Sequence, residues 1–86
     1  MSSVVKKLIG EITKLAFEVT NKTKHDVFVS YHGHVNCIEV NYHVNGYYSG
    51  SPQINIVNLY MDSEKEHISK LKQAKRKLKK LLEERI

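Results

Sequence analysis

Apolar residues recur three and four apart at both ends of the chain and two apart through its middle, a pattern that predicts helix, strands, helix. At the N-terminal end Val5, Leu8, Ile9, Ile12, Leu15, Ala16 and Val19 share one stripe, while Lys6, Lys7, Lys14 and Glu18 fall outside it. The spacing therefore predicts a helix over 3–19 with one packed face and one wet face. Ser2 or Ser3 supplies a hydroxyl for its first N–H groups, and the polar run from Asn21 to Lys24 marks the turn that follows. Gly10, on the wet side, costs on the order of 1 kcal/mol relative to Ala, too little to break the helix.

Residues 26–32 and 35–44 alternate apolar and polar, as half-buried strands do. Gly33-His34 between them suits a two-residue type II′ turn, because glycine accepts a positive φ at the first central position. Closing there pairs Val29 with Ile38 and Val27 with Val40, and sets His25 opposite Tyr42. It gathers Val27, Val29, Tyr31, Ile38, Val40, Tyr42 and Val44 on one face, an agreement that a one-residue slip destroys. Asn45-Gly46 is a second turn signal, but a tight hairpin there sets Ser49, Ser51 and Gln53 against the core. Residues 45–53 are therefore read as a longer exposed loop with a short ladder at Tyr47 and Tyr48. A third strand is predicted over 54–61, apolar on both sides: Ile54, Ile56 and Tyr60 on one, Val57, Leu59 and Met61 on the other. In a meander it lies at an edge, and such an edge calls for a cover or a partner.

Ser63-Glu64-Lys65-Glu66 reads as a capping box, the Ser63 hydroxyl accepting from the Glu66 N–H and the Glu66 carboxylate from the Ser63 N–H. It opens a second helix over 63–85, on which Ile68, Leu71, Ala74, Leu78, Leu81, Leu82 and Ile86 cover an arc of about 140°. Lys75 falls inside that arc, so either its stem snorkels along the apolar surface or the last turns leave the sheet. The expected fold is one α+β domain over 1–86, in the order α-β-β-β-α, with two helices packed on one face of a three-stranded antiparallel sheet. The other sheet face carries Phe28, Ser30, Cys37, Glu39 and Asn41.

Charge sets this domain apart. The net charge of +5 lies wholly in residues 63–86, which hold nine Lys or Arg and four Glu, whereas residues 1–62 hold five of each sign. A surface of one sign attracts an anionic partner or keeps copies apart. With 86 residues the chain is too small for a deep cleft between subdomains, and at 41% hydrophobic it is too apolar for disorder. It is also too charged to span a bilayer. Lys6 and Lys7 interrupt the first ten residues, so no secretory signal is read and the cytoplasm is the expected compartment. The single cysteine, Cys37, forms no internal disulfide and suits a reducing environment. Abundant Lys, Asn, Ile and Tyr with one Pro and no Trp resembles small open reading frames of AT-rich bacteria and their phages.

Lys72, Arg76, Lys79 and Lys80 share one flank of the second helix, a layout that can follow a phosphate backbone or simply solvate the helix. Tyr47 and Tyr48 are loop aromatics placed either to stack on bases or to close the loop over the sheet edge. Five histidines lack metal-binding spacing, and Cys37, Glu39 and His43 on one strand face lack an enclosing cleft and an oxyanion donor. The sequence thus points to no catalytic residue, metal, cofactor or small-molecule substrate. A membrane partner is disfavoured because the helix's aliphatic arc is best used in the core.

Gly33-His34, then Ile38, Val40, Tyr42, Val44, Asn45, Gly46 and Gly50, with Lys72-Gln73-Ala74-Lys75, resembles parts of double-stranded-RNA-binding domains, which also run α-β-β-β-α. The resemblance implies that fold and a nucleic-acid partner. It spans residues 33–50 and 72–75 only. In that family the last helix follows the glycine-rich turn almost at once, whereas here residues 54–61 intervene and the basic cluster begins mid-helix. Two functions follow from the sequence. The first is a non-enzymatic module that binds nucleic-acid backbone through Lys72, Arg76, Lys79 and Lys80, with Tyr47 and Tyr48 stacking. The second is a protein-interaction or self-assembling accessory module, such as a homodimer, that uses strand three and the exposed sheet face while the lysines only solvate; an acidic protein surface is the other anionic partner open to the basic helix.

Overall fold

The computed structural model describes residues 3–61 and 67–84. Helix α1 (Ser3–Lys22) leads through a short corner into strand β1 (Asp26–His32), followed by β2 (Cys37–His43), β3 (Ile54–Tyr60) and helix α2 (His67–Leu82). The sheet is antiparallel in the order β1-β2-β3, so β1 and β3 are its edges. The α-β-β-β-α order matches the sequence expectation. The capping box at Ser63 to Glu66 lies outside the described residues.

α1 continues three residues past the expected end because two threonines organise its last turn. The Thr23 hydroxyl donates to the Val19 carbonyl at 2.7 Å and accepts from the His25 N–H at 3.0 Å. The Thr20 hydroxyl oxygen accepts from the Val27 N–H at 3.0 Å, fastening β1 to the helix. Side-chain oxygens thereby satisfy backbone donors that no neighbouring strand reaches.

The hairpin closes two residues away from its expected register. A 3-10 turn over Gly33–Val35 ends on Asn36 in the left-handed region at φ 49°, so the loop is four residues long, not two. Val29 pairs with Val40, Val27 with Tyr42 and Tyr31 with Ile38. Because side chains alternate with period two, a shift of two leaves the same apolar set on the same face. Val35 consequently lies in the turn, and Val44, beyond the end of β2, is exposed rather than on the packed face.

β3 also departs from expectation, because the β2–β3 register slips between Val40 and Asn41. Val57 faces Val40 and Leu59 faces Ile38, but after the irregularity Ile54 pairs with Tyr42, on the helix side. The extra residue, Ile56, is half-buried against the core. The outer side of β3 is therefore Asn55, Asn58 and Tyr60, and the strand is not apolar on both faces.

Both helices cover the sheet face formed by Ile38, Val40, Tyr42, Val57 and Leu59, with Val5, Leu8, Ile12 and Val19 from α1 and Leu71, Ala74, Leu78 and Leu81 from α2. Each fully buried Leu, Ile or Val contributes about 1.5–3 kcal/mol relative to exposure. The helices run in the same sense: Glu11 meets Lys75, and further along both, His25 after α1 meets Glu84 after α2. The far sheet face is not bare, because Cys37, Asn41 and His43 on it are buried. Among the described residues no helix is long and apolar enough to cross a membrane.

Candidate nucleic-acid interface

The cations of α2 divide by what they touch. Lys75 lies at the edge of the apolar arc and reaches Glu11 of α1 at 3.1 Å, its side chain only 25% exposed. The hydrogen bond from Lys75 holds the Glu11 carboxyl below its ordinary 4.5, against desolvation and with help from the charges of Lys75, Lys7 and Lys79. Lys77, on the other flank, sets its ammonium 5.8 Å from the Tyr42 ring centroid, within cation–π range. Lys72, Arg76, Lys79 and Lys80 are exposed, and among the described residues none of the four forms an ion pair or side-chain hydrogen bond. Burial of Leu71, Ala74, Leu78 and Leu81 fixes the rotation of α2 and turns this flank outward beside α1.

That placement adds residues the sequence reading left aside. Lys7, Glu11, Lys14 and Glu18 stand at i, i+4, i+7 and i+11, one stripe of α1. A shallow groove between the helices is lined by Glu11, Lys14, Leu15, Glu18, Lys75 and Lys79. The stripe's spacing was visible in the sequence, but nothing there set it beside α2.

Tyr47 and Tyr48 lie elsewhere. The Tyr47 ring packs at 5.0 Å from His43 and 5.7 Å from Phe28, both on the sheet face away from the helices. Its N–H donates to the Asp26 carboxylate at 2.6 Å, so the expected ladder at Tyr47 and Tyr48 is replaced by a side-chain tether. The Tyr48 N–H donates to the Ser51 hydroxyl oxygen at 3.2 Å, which lies 2.8 Å from His43 Nδ1, and the Ser51 N–H returns to the Tyr48 carbonyl at 2.9 Å. Gly50, at φ 87°, occupies the position of that turn where L-residues are strained. The structure thus gathers Lys72, Arg76, Lys79 and Lys80 on the helix layer and sets Tyr47 on the opposite face.

The histidines serve structure where their partners are visible. His25 is buried, its Nδ1 accepting from the Asn45 N–H at 3.2 Å and its Nε2 lying 3.2 Å from the Glu84 carboxylate. Those partners require the tautomer protonated at Nε2. His32 and His34 are exposed around a hollow that also touches Cys37, Glu39, Asn58 and Tyr60. The Cys37 thiol is buried and donates to Asn58 Oδ1 at 3.2 Å. No group of three or more His, Cys, Asp or Glu among the described residues is placed to hold a metal ion. Set against family models, curated proteins and solved structures, the chain matches none.

Proposed function

We propose that this chain is a non-enzymatic module that binds the phosphate backbone of nucleic acid through Lys72, Arg76, Lys79 and Lys80. The observation that carries the reading is the division of labour on α2. Lys75 and Lys77 are committed to Glu11 and Tyr42, while four neighbours on one flank project into solvent without a carboxylate partner among the described residues. Cations spaced along one helix flank meet successive phosphates, and each neutralised phosphate releases counterions. The partial resemblance to double-stranded-RNA-binding domains points the same way.

Four phosphate contacts imply a loss of affinity of roughly a hundredfold between 50 and 200 mM salt. The test is fluorescence anisotropy of labelled nucleic acid against the chain and against the variant with Lys72, Arg76, Lys79 and Lys80 all changed to Gln. Binding that the variant loses, with an unchanged circular dichroism spectrum, is the expected result. Equal affinity in the variant excludes the reading. The alternative, self-assembly through β3, is weakened by the polar outer side of that strand.

A further inference from the structure

We infer that a second copy of this chain adds its β1 antiparallel to the free edge of β1 and seats its Tyr31 in the groove between β1 and α1. This is independent of the nucleic-acid reading. β1 is an edge strand, and its Val27 N–H is met by the Thr20 hydroxyl of α1, not by β2. The Met61 N–H donates to the Asn36 carbonyl, which turns the backbone groups of Asn36, Ile38 and Val40 toward β3. Tyr31 and Val29, paired with Ile38 and Val40, therefore point their N–H and C=O out of the sheet, and among the described residues nothing meets them. α1 covers the edge at Val27, but Tyr31, on the same side, is 57% exposed. Open edges pair with another strand unless charge or proline blocks them, and residues 27–32 hold no Lys, Arg, Asp, Glu or Pro.

One register satisfies both free residues. It sets Val29 opposite the partner's Tyr31 and Tyr31 opposite the partner's Val29, so that every free N–H meets a free carbonyl about a two-fold axis at Ser30. Pairing Val29 with itself would instead spend Tyr31 on Val27, whose N–H Thr20 already holds. In the chosen register the partner's Tyr31 enters the groove beside Val29. Thr13, Ala16, Phe17, Thr20, Val27 and Val29 line that groove without a charged side chain, and Phe17 in its wall is 69% exposed. On the far sheet face Phe28 comes opposite the partner's His32. Asp26, the one Asp, Glu, Lys or Arg over 26–34, comes opposite the partner's His34, a group of neutral or opposite sign.

Charge also selects a second copy at this edge and not the other. α1 packs on β1 and α2 on β3, so joining two β1 edges keeps the basic α2 helices at the outer ends of one continuous sheet. Joining two β3 edges would set those like charges side by side.

The experiment is sedimentation of the full chain from about 10 μM to about 1 mM, with amide hydrogen exchange read at Val29 and Tyr31. Phe17→Asp and Tyr31→Glu, both at exposed positions, spoil the groove contact, and Tyr60→Ser is the control on the other edge. The expected result is a species of twice the chain's mass whose Val29 and Tyr31 amides gain protection as concentration rises. Each β1 variant weakens it about tenfold or more with an unchanged circular dichroism spectrum, and Tyr60→Ser leaves it intact. A wild type that stays monomeric throughout overturns the inference and leaves the edge to a strand from another protein. A dimer whose Val29 and Tyr31 amides still exchange freely, or one that Tyr60→Ser splits and the β1 variants do not, overturns it as well. Each of these failures leaves the nucleic-acid reading standing.

Discussion

Glu11 and Lys75 meet at 3.1 Å across the seam between α1 and α2. A lysine on the margin of an apolar arc is tolerable where its ammonium finds a carboxylate, and this pair joins the two helices across their seam. Its sign with pH follows from the lowered carboxyl. The contribution is fully present above the ordinary value of 4.5 and is lost as pH falls through the depressed folded value. Urea unfolding of the wild type and Glu11→Gln should therefore differ near neutral pH and converge in acid. A difference that persists at the acid end contradicts this assignment.

Replacement of His25 by Ala should destabilise the fold by about 1–3 kcal/mol, because it orphans the Asn45 N–H that the ring accepts. Glu84, whose side chain is 58% exposed, contributes less, and Glu84→Gln should cost below about 1 kcal/mol. Chemical denaturation of the two variants gives the ranking. Equal losses would mean that the contact with Glu84, and not the backbone acceptor, is the source of the stability.

The packed faces of both helices and of β1 and β2 were legible in the sequence, since periods of two and of about 3.6 residues are imposed by burial along each element separately. Turn geometry was not. Gly33 announces a two-residue turn, but Asn36 also reaches the left-handed region, through a side chain that accepts from the Tyr31 hydroxyl at 2.5 Å. Nothing in Ile54-Asn55-Ile56 announced the bulge that turned a two-sided apolar strand into a one-sided one. Of the candidate site, the α2 flank was readable from spacing. That Lys75 is spent on Glu11, that α1 lies alongside with its own lysines, and that Tyr47 stands on the other face are tertiary relations with no local signal.

Asn36 itself is testable. Both alanine and glycine lose the contact with Tyr31, but alanine at a φ of 49° pays in addition a left-handed penalty of about 1–2 kcal/mol that glycine does not. Asn36→Ala should accordingly lower the unfolding midpoint more than Asn36→Gly. Equal midpoints for the two variants would show that the left-handed backbone carries no penalty there and leave the side-chain contact to select asparagine.

Charge placed on β3 separates core from surface. Leu59 is 0% exposed and Val57 9%, so an aspartate at either position is a buried unpaired charge and should unfold the chain, not split a dimer. Leu59→Ala should cost about 2–5 kcal/mol through the cavity it leaves. Tyr60→Ser, at an outer position 47% exposed, should stay folded and change stability little. Sedimentation of Tyr60→Ser beside the wild type then reads self-association without a folding defect. A wild-type dimer that this variant dissociates would restore the outer side of β3 as an interface.

The two neighbouring tyrosines should behave differently although they are equally exposed, at 60% and 62%. Tyr47 lays its ring against His43 and Phe28 on the face the helices leave uncovered, and aromatic pairs of this kind contribute about 0.5–1.5 kcal/mol beyond burial. Tyr48 takes part in its turn through backbone groups, which alanine retains. Tyr47→Ala should therefore lower stability by about 1 kcal/mol or more and expose His43 to solvent, and Tyr48→Ala should be nearly neutral. Thermal unfolding with one-dimensional proton spectra of the histidine rings follows both effects. A neutral Tyr47→Ala would mean that the ring rests on the sheet without holding the loop to it, leaving that to the Asp26 and Ser51 hydrogen bonds.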